Sequence, residues 1–169
     1  MKPIWKELGF SVLALIVMAG TGAGQSKPAV AFERLKTLAG EWEGTAADGS
    51  KGRISYKLVS NGTVLMESIS GDGHEDGMVT MYHLDGDSIL ATHYCSAGNQ
   101  PRLRAALTPG KDGEIVFQLL DVSNRRPGQE GQIHGLVVRF QDADHFTQEW
   151  TGEEKSKMTT TVFRWTRRK

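Results

Sequence analysis

From Gly40 onward, apolar positions alternate with polar ones or gather in short runs, and turn residues interrupt them about every ten residues. That rhythm predicts strands at 41–46, 53–59, 63–70, 78–84, 88–95, 102–107, 114–122, 133–140, 145–150 and 159–166. Ahead of them, Phe32, Leu35 and Leu38 recur at three-residue spacing, with Glu33, Arg34 and Lys36 opposite. This predicts one short helix over Ala31–Leu38, ended at Ala39-Gly40. Asn61-Gly62 and Asp85-Gly86 sit between strands as hairpin signals, and Pro109-Gly110 with Asp112-Gly113 marks another connection. Hairpin after hairpin makes neighbouring strands antiparallel. No segment between strands has the length and period of a crossover helix. Closing such a sheet into a barrel removes both exposed edges, so an all-β, single antiparallel barrel of about ten strands is expected. Its predicted core includes Trp42, Leu58, Leu65, Tyr82, Leu136, Val138 and Phe146.

The segment before the helix has a different pattern. Lys2 and Lys6 precede an apolar run from Leu8 to Ala19, followed by the small residues Gly20 to Gly24. This is the layout of a secretory signal peptide. The run is shorter than the ~20 residues that cross a bilayer as a helix. The expected organisation is a signal peptide over 1–24, a linker over 25–30 and the barrel domain over 31–169. The expected location is periplasmic or secreted.

Composition narrows the partners. The chain has 20 basic and 20 acidic residues. Setting aside Lys2, Lys6 and Glu7 leaves 18 and 19 in the mature part. Such a balance recruits neither nucleic acid nor an anionic membrane surface. Cys95 is the lone cysteine, so no internal disulfide staples the fold.

Two features resemble known proteins. Gly40-Glu41-Trp42 follows the helix and opens the first strand, and Arg164 lies in the last strand. This resembles the lipocalin-like (calycin) pattern, which implies that Trp42 plugs one end of the barrel beneath the Arg164 guanidinium. Segments including Met81–Asp87, Thr92–Cys95, Ala97–Arg102 and Asp142–Phe146 resemble an uncharacterised family of bacterial lipocalin-like barrels. The resemblance implies a fold and a compartment, and no activity.

Candidate chemistry is sparse. His93 and Cys95, two apart on a strand, share a face. If Leu84 pairs with Ser88, His83 shares that face too, but on the order of 13 Å away. His134 shares a face with Leu136 and Val138, which would turn it into the lumen as the preferred ligand of a haem or, with His93 and Cys95, of a metal. Arg102 and Arg104 share one strand face and could clamp an anion, or could point into water while Leu103 and Ala105 point inward. The motifs of serine hydrolases, zinc proteases and nucleotide-binding loops are absent, so no catalytic residue is assigned.

The expected function is non-covalent binding of a small apolar or amphipathic ligand in the lumen. His93, Arg102, His134, Gln148 and Trp150 are the candidate contacts, with no cofactor required. The alternatives are a haem- or metal-binding barrel with histidine-based chemistry, and a filled barrel with a structural or interaction role.

Overall fold

The computed structural model describes residues 27–71, 74–106, 113–126 and 132–169. The predicted signal peptide lies outside them. The chain enters as helix α1 (Lys27–Lys36), so residues 27–30, expected to be linker, are already helical. Ten strands follow: β1 (Gly40–Ala46), β2 (Lys51–Val59), β3 (Val64–Gly71), β4 (His74–Asp85), β5 (Ser88–Tyr94), β6 (Gln100–Ala106), β7 (Glu114–Ser123), β8 (Gln132–Phe140), β9 (His145–Glu154) and β10 (Lys157–Arg167). Each pairs antiparallel with its neighbours in sequence, and β10 returns to β1, which closes the barrel.

Alternation decides what faces inward. Trp42 and Ala46 on β1, Ile54 and Tyr56 on β2, and Leu65 and Glu67 on β3 are all buried, while the residues between them are not. Leu58, expected in the core, ends up 41% exposed near the end of β2. Glycines carry the close approaches. A Cβ on Gly44 would come 2.2 Å from the Trp165 ring, so only glycine leaves room for that indole inside the barrel.

Helix α1 covers one end of the barrel. Its apolar stripe, Phe32 and Leu35 with Leu38 just beyond, is 0–2% exposed, and Lys36 pairs with Glu33 outside at 2.8 Å. Beside this plug, Trp42 is buried against Phe146, edge to face, with 4.7 Å between ring centroids. Its indole N–H donates to the Leu38 carbonyl at 2.8 Å.

The cation over that indole is Arg167, with its guanidinium carbon 4.1 Å from the ring centroid. The expected partner Arg164 is not there, and the reason is register. Arg167 lies opposite Trp42 on the β1–β10 ladder, whereas Arg164 lies opposite Thr45. Arg164 also flanks the inward-facing Trp165, so alternation turns it outward. Arg167 further donates to the carbonyls of Ala39 and Thr37, both at 2.9 Å, and of Ala143 at 3.0 Å. One side chain thus ties the last strand to the helix exit and to the β8–β9 turn.

The Arg167→Ala variant is expected to lose about 2–3 kcal/mol of unfolding free energy, from the ring contact and the stranded carbonyls. Arg164→Ala should stay within about 0.5 kcal/mol of the parent. Urea denaturation of both variants checks this, and equal losses would contradict the assignment.

Candidate functional site

The middle of the barrel is polar. Tyr56, Glu67, Thr80 and His93 stand directly opposite one another across β2, β3, β4 and β5, forming one cross-strand row. All four are buried, at 0–4% exposure. In such a row facing side chains lie within reach of one another. From the other wall, β9 sends Gln148 into the same layer.

Glu67 is the hub. Its Oε2 accepts hydrogen bonds from the Tyr56 hydroxyl at 3.1 Å and from the Tyr82 hydroxyl, and its Oε1 accepts one from Gln148 Nε2 at 3.1 Å. Gln148 Nε2 also donates to the Tyr56 hydroxyl at 3.0 Å. Gln148 Oε1 accepts from the indole N–H groups of Trp165 at 3.1 Å and Trp150 at 3.4 Å. Both oxygens of a fully buried carboxyl are therefore satisfied, as burial demands. Burial pushes the Glu67 carboxyl up to about 7, against the three hydrogen bonds that pull it down. The Tyr56 and Tyr82 phenols are raised well above their ordinary range by burial and by the neighbouring carboxylate.

His93 completes the layer. Its Nδ1 lies 2.9 Å from the Thr80 hydroxyl, and its ring sits 5.1 Å from the Trp150 ring. Burial holds the imidazole down at about 4, so it is neutral at pH 7. With Nδ1 taken by Thr80, Nε2 is the atom the ring has left for a further hydrogen bond.

Beyond this layer, toward the end opposite α1, the inward-facing residues change character. Ile69, Leu119, Ile133 and Phe163 pack against the core yet are only partly buried. Ile69 lies one inward position past Glu67 on β3, and Ile133 pairs with Gly152, one inward position past Trp150 on β9. The helix end is plugged by a packed core. The opposite end, the mouth of the barrel, carries these partly buried apolar side chains next to the polar layer.

The structure brings together three of the expected contacts, His93, Gln148 and Trp150, and separates the other two. Arg102 is exposed and forms a two-pronged ion pair with Asp121, its Nε lying 2.6 Å from Oδ1, and Arg104 pairs with Asp85 at 3.1 Å. Leu103 and Ala105 take the inward positions, so the arginines form no clamp at the mouth. His134 does not share the inward face of Leu136 and Val138. The ladder is irregular between Ile133 and Gly135, Ile133 packs on the core, and His134 Nε2 lies 3.1 Å from Glu153. That local irregularity breaks the period of two on which the expectation rested.

His83 also moves. Asp85 pairs with Ser88, so the β4–β5 register differs by one from the one expected; His83 lies opposite Leu90, off the face of His93, and Thr80 lies opposite His93. Cys95 is partly buried and free. Among the described residues no group of three or more His, Cys, Asp or Glu side chains is placed to hold a metal ion.

Glu67, Tyr56, Tyr82, Thr80 and Trp165 were not expected at a site. The signal for Glu67 is present in Leu65-Met66-Glu67-Ser68-Ile69, which puts a carboxylate on the same strand face as two apolar residues. Nothing in the sequence identifies the donors that meet it, because Gln148 is 81 residues away.

Glu67 and His93 give opposite pH dependences of stability. The folded carboxyl holds its proton up to about 7, and the unfolded one only to about 4.5, so Glu67 costs stability as pH rises between those values. The unfolded imidazole takes a proton below about 6.5, and the folded one only near 4, so His93 costs stability as pH falls through that range. Each swing is about 3 kcal/mol, and the two oppose each other between pH 4.5 and 6.5. Relative to the parent, Glu67→Gln should gain stability with rising pH over this window and His93→Gln should lose it. Parallel urea titrations at pH 4.5, 5.5 and 6.5 read the slopes. Slopes equal to the parent's in both variants would refute the burial assigned to these groups.

No protein-family model and no curated protein matches the chain. Among solved structures, a protein of unknown function from the DUF3598 family of Nostoc punctiforme is similar, with a TM-score of 0.54 at 16% identity. The match covers 79% of this chain and 49% of that one, so this chain spans about half the length of that relative. A second structure, EF1p2_mFAP2b bound to DFHBI, aligns over 85% of this chain and 100% of its own, with a TM-score of 0.42 and 10% identity. The first likeness agrees with the barrel fold.

Proposed function

We propose that the protein binds a small amphipathic molecule in the barrel, its apolar body held in the mouth and its polar end set against the buried layer. The observation that carries this reading is the division of the lumen. Partly exposed Ile69, Leu119, Ile133 and Phe163 lie beyond a buried set of Glu67, Gln148, His93 and Trp150. Pockets for small ligands have this composition, a largely apolar wall with a few convergent polar groups. Apolar burial supplies affinity, and His93 Nε2 is the atom we assign to the ligand's polar end.

The polar layer suits a neutral hydroxyl or carbonyl. A cation would meet Glu67 only through the Tyr and Gln donors that already occupy the carboxylate. An anion would lie against that carboxylate without a buried cation to offset it. The short helix before Gly40-Glu41-Trp42 and the stacking of Arg167 on Trp42 support placing the chain among lipocalin-like barrels. The pattern of residues 1–24 supports export.

Native mass spectrometry of protein purified from its own host tests export and binding together. The expected species lacks the first ~24 residues and carries a co-purifying small molecule. Titration with the neutral fluorescent probe N-phenyl-1-naphthylamine gives the second test, since Leu119→Trp narrows the mouth. That variant should bind the probe about tenfold more weakly, equivalent to ~1.4 kcal/mol, with its circular dichroism unchanged. Protein that is always empty, together with probe uptake that Leu119→Trp leaves unaltered, would refute lumen binding.

A further inference from the structure

The outer wall carries a second concave site, independent of the lumen. Around the seam where β10 meets β1 and β2, a groove of about 820 Å³ is lined by Glu43, Thr45, Lys51, Arg53, Ser70, Arg164 and Thr166, with Gly44, Gly52 and Gly71 between them. Strand alternation makes this the outside of the barrel. Thr45 lies between the buried positions of β1, Arg53 beside buried Ile54, and Arg164 beside buried Trp165. The glycines fit a tight seam. A Cβ on Gly71 would come 2.7 Å from the Lys51 carbonyl, and the Trp165 ring fills the space inside Gly44 and Gly52. The β3–β4 ladder is irregular at the same place, between Ile69 and Gly71.

The arginines in this groove differ from Arg102, Arg104, Arg139 and Arg167 in having no acidic partner among the described residues. Arg102, Arg104 and Arg139 each meet a carboxylate across a strand, and Arg167 is held by carbonyls and Asp144. Lys51, Arg53 and Arg164 have no acidic partner among the described residues. The carboxylate in the groove, Glu43, is drawn toward Arg168 at 3.9 Å. Register sets the three cations around one point. Thr45 pairs with Arg164 on one side and Lys51 on the other, and Arg53 lies opposite both Glu43 and Ser70. The chain as a whole has 20 basic and 20 acidic residues, so this is segregation of charge rather than excess.

The geometry points to a binding site for a phosphate-bearing ligand on the outer wall, held by Arg53, Arg164 and Lys51, with the hydroxyls of Thr45, Ser70 and Thr166 as further donors. Two guanidinium forks and an ammonium lining one concave surface match the multiple oxygens of a phosphate group. A solvated, half-open site of this kind is sensitive to salt. The proposal does not depend on occupancy of the lumen.

Titration with pyrophosphate at low ionic strength, followed by backbone amide NMR, tests it. Shifts are expected at Thr45, Gly52, Arg53 and Arg164, with affinity falling as salt rises. Arg53→Ala/Arg164→Ala should weaken binding at least about tenfold, as expected for lost charge-assisted hydrogen bonds. Both side chains are exposed and unpaired, so the fold should persist, which the spectrum itself reports. Arg102→Ala/Arg104→Ala, which removes two ion-paired arginines elsewhere, should leave binding unchanged. Cosedimentation with phosphatidylglycerol vesicles distinguishes a lipid headgroup from a free phosphate compound. Binding to vesicles alone that is lost in Arg53→Ala/Arg164→Ala supports the site with the headgroup as its source. Shifts spread over the whole surface, equal weakening in both double variants, or no response to either probe would overturn the proposal.

Discussion

A carboxyl group sealed inside a barrel has to be met by the protein, because water cannot reach it. An unpaired charge in that position costs several kcal/mol. Glu67 is such a group, and its needs organise the middle of this molecule. Two phenols from β2 and β4 and an amide from β9 converge on it. The amide in turn orients two indoles. Strands far apart in sequence are thereby tied through the lumen as well as around the wall. A half-satisfied polar network would be worse than an apolar core, so these residues stand or fall together.

This layer gives the barrel two different halves. On the helix side, Phe32, Leu35 and Trp42 fill the lumen, and Arg167 closes the seam by touching ring, helix exit and turn at once. On the other side the inward residues are apolar but only partly buried. The glycine-rich seam of β1, β2 and β3 carries, on its outer face, three cations without an acidic partner among the described residues.

Much of the architecture was legible because barrel strands leave a local signal. The period of two, the helix before Gly40 and the turn residues fixed ten strands and their antiparallel order. What local pattern leaves open is register. A shift of one residue exchanges faces, and this is why His83 was expected on the face of His93, whereas it pairs with Leu90 and lies on the other. The same reasoning applies to Arg164 and Arg167. Both lie in the last strand, and only the ladder with β1 tells which one meets Trp42. At His134 an irregularity in the strand defeated the alternation itself. His93, Gln148 and Trp150 were recognisable as polar or aromatic residues on strands. Their convergence on Glu67 depends on closure of the barrel, which no short window of sequence contains.

The central claim is that Glu67 sits in a water-excluded layer held by Tyr56, Tyr82 and Gln148. Following the side-chain carboxyl carbon of Glu67 by NMR through a pH titration tests it directly. A midpoint near 7 is the result predicted by its burial. A midpoint near the ordinary 4.5 would show a solvated carboxylate and contradict the account.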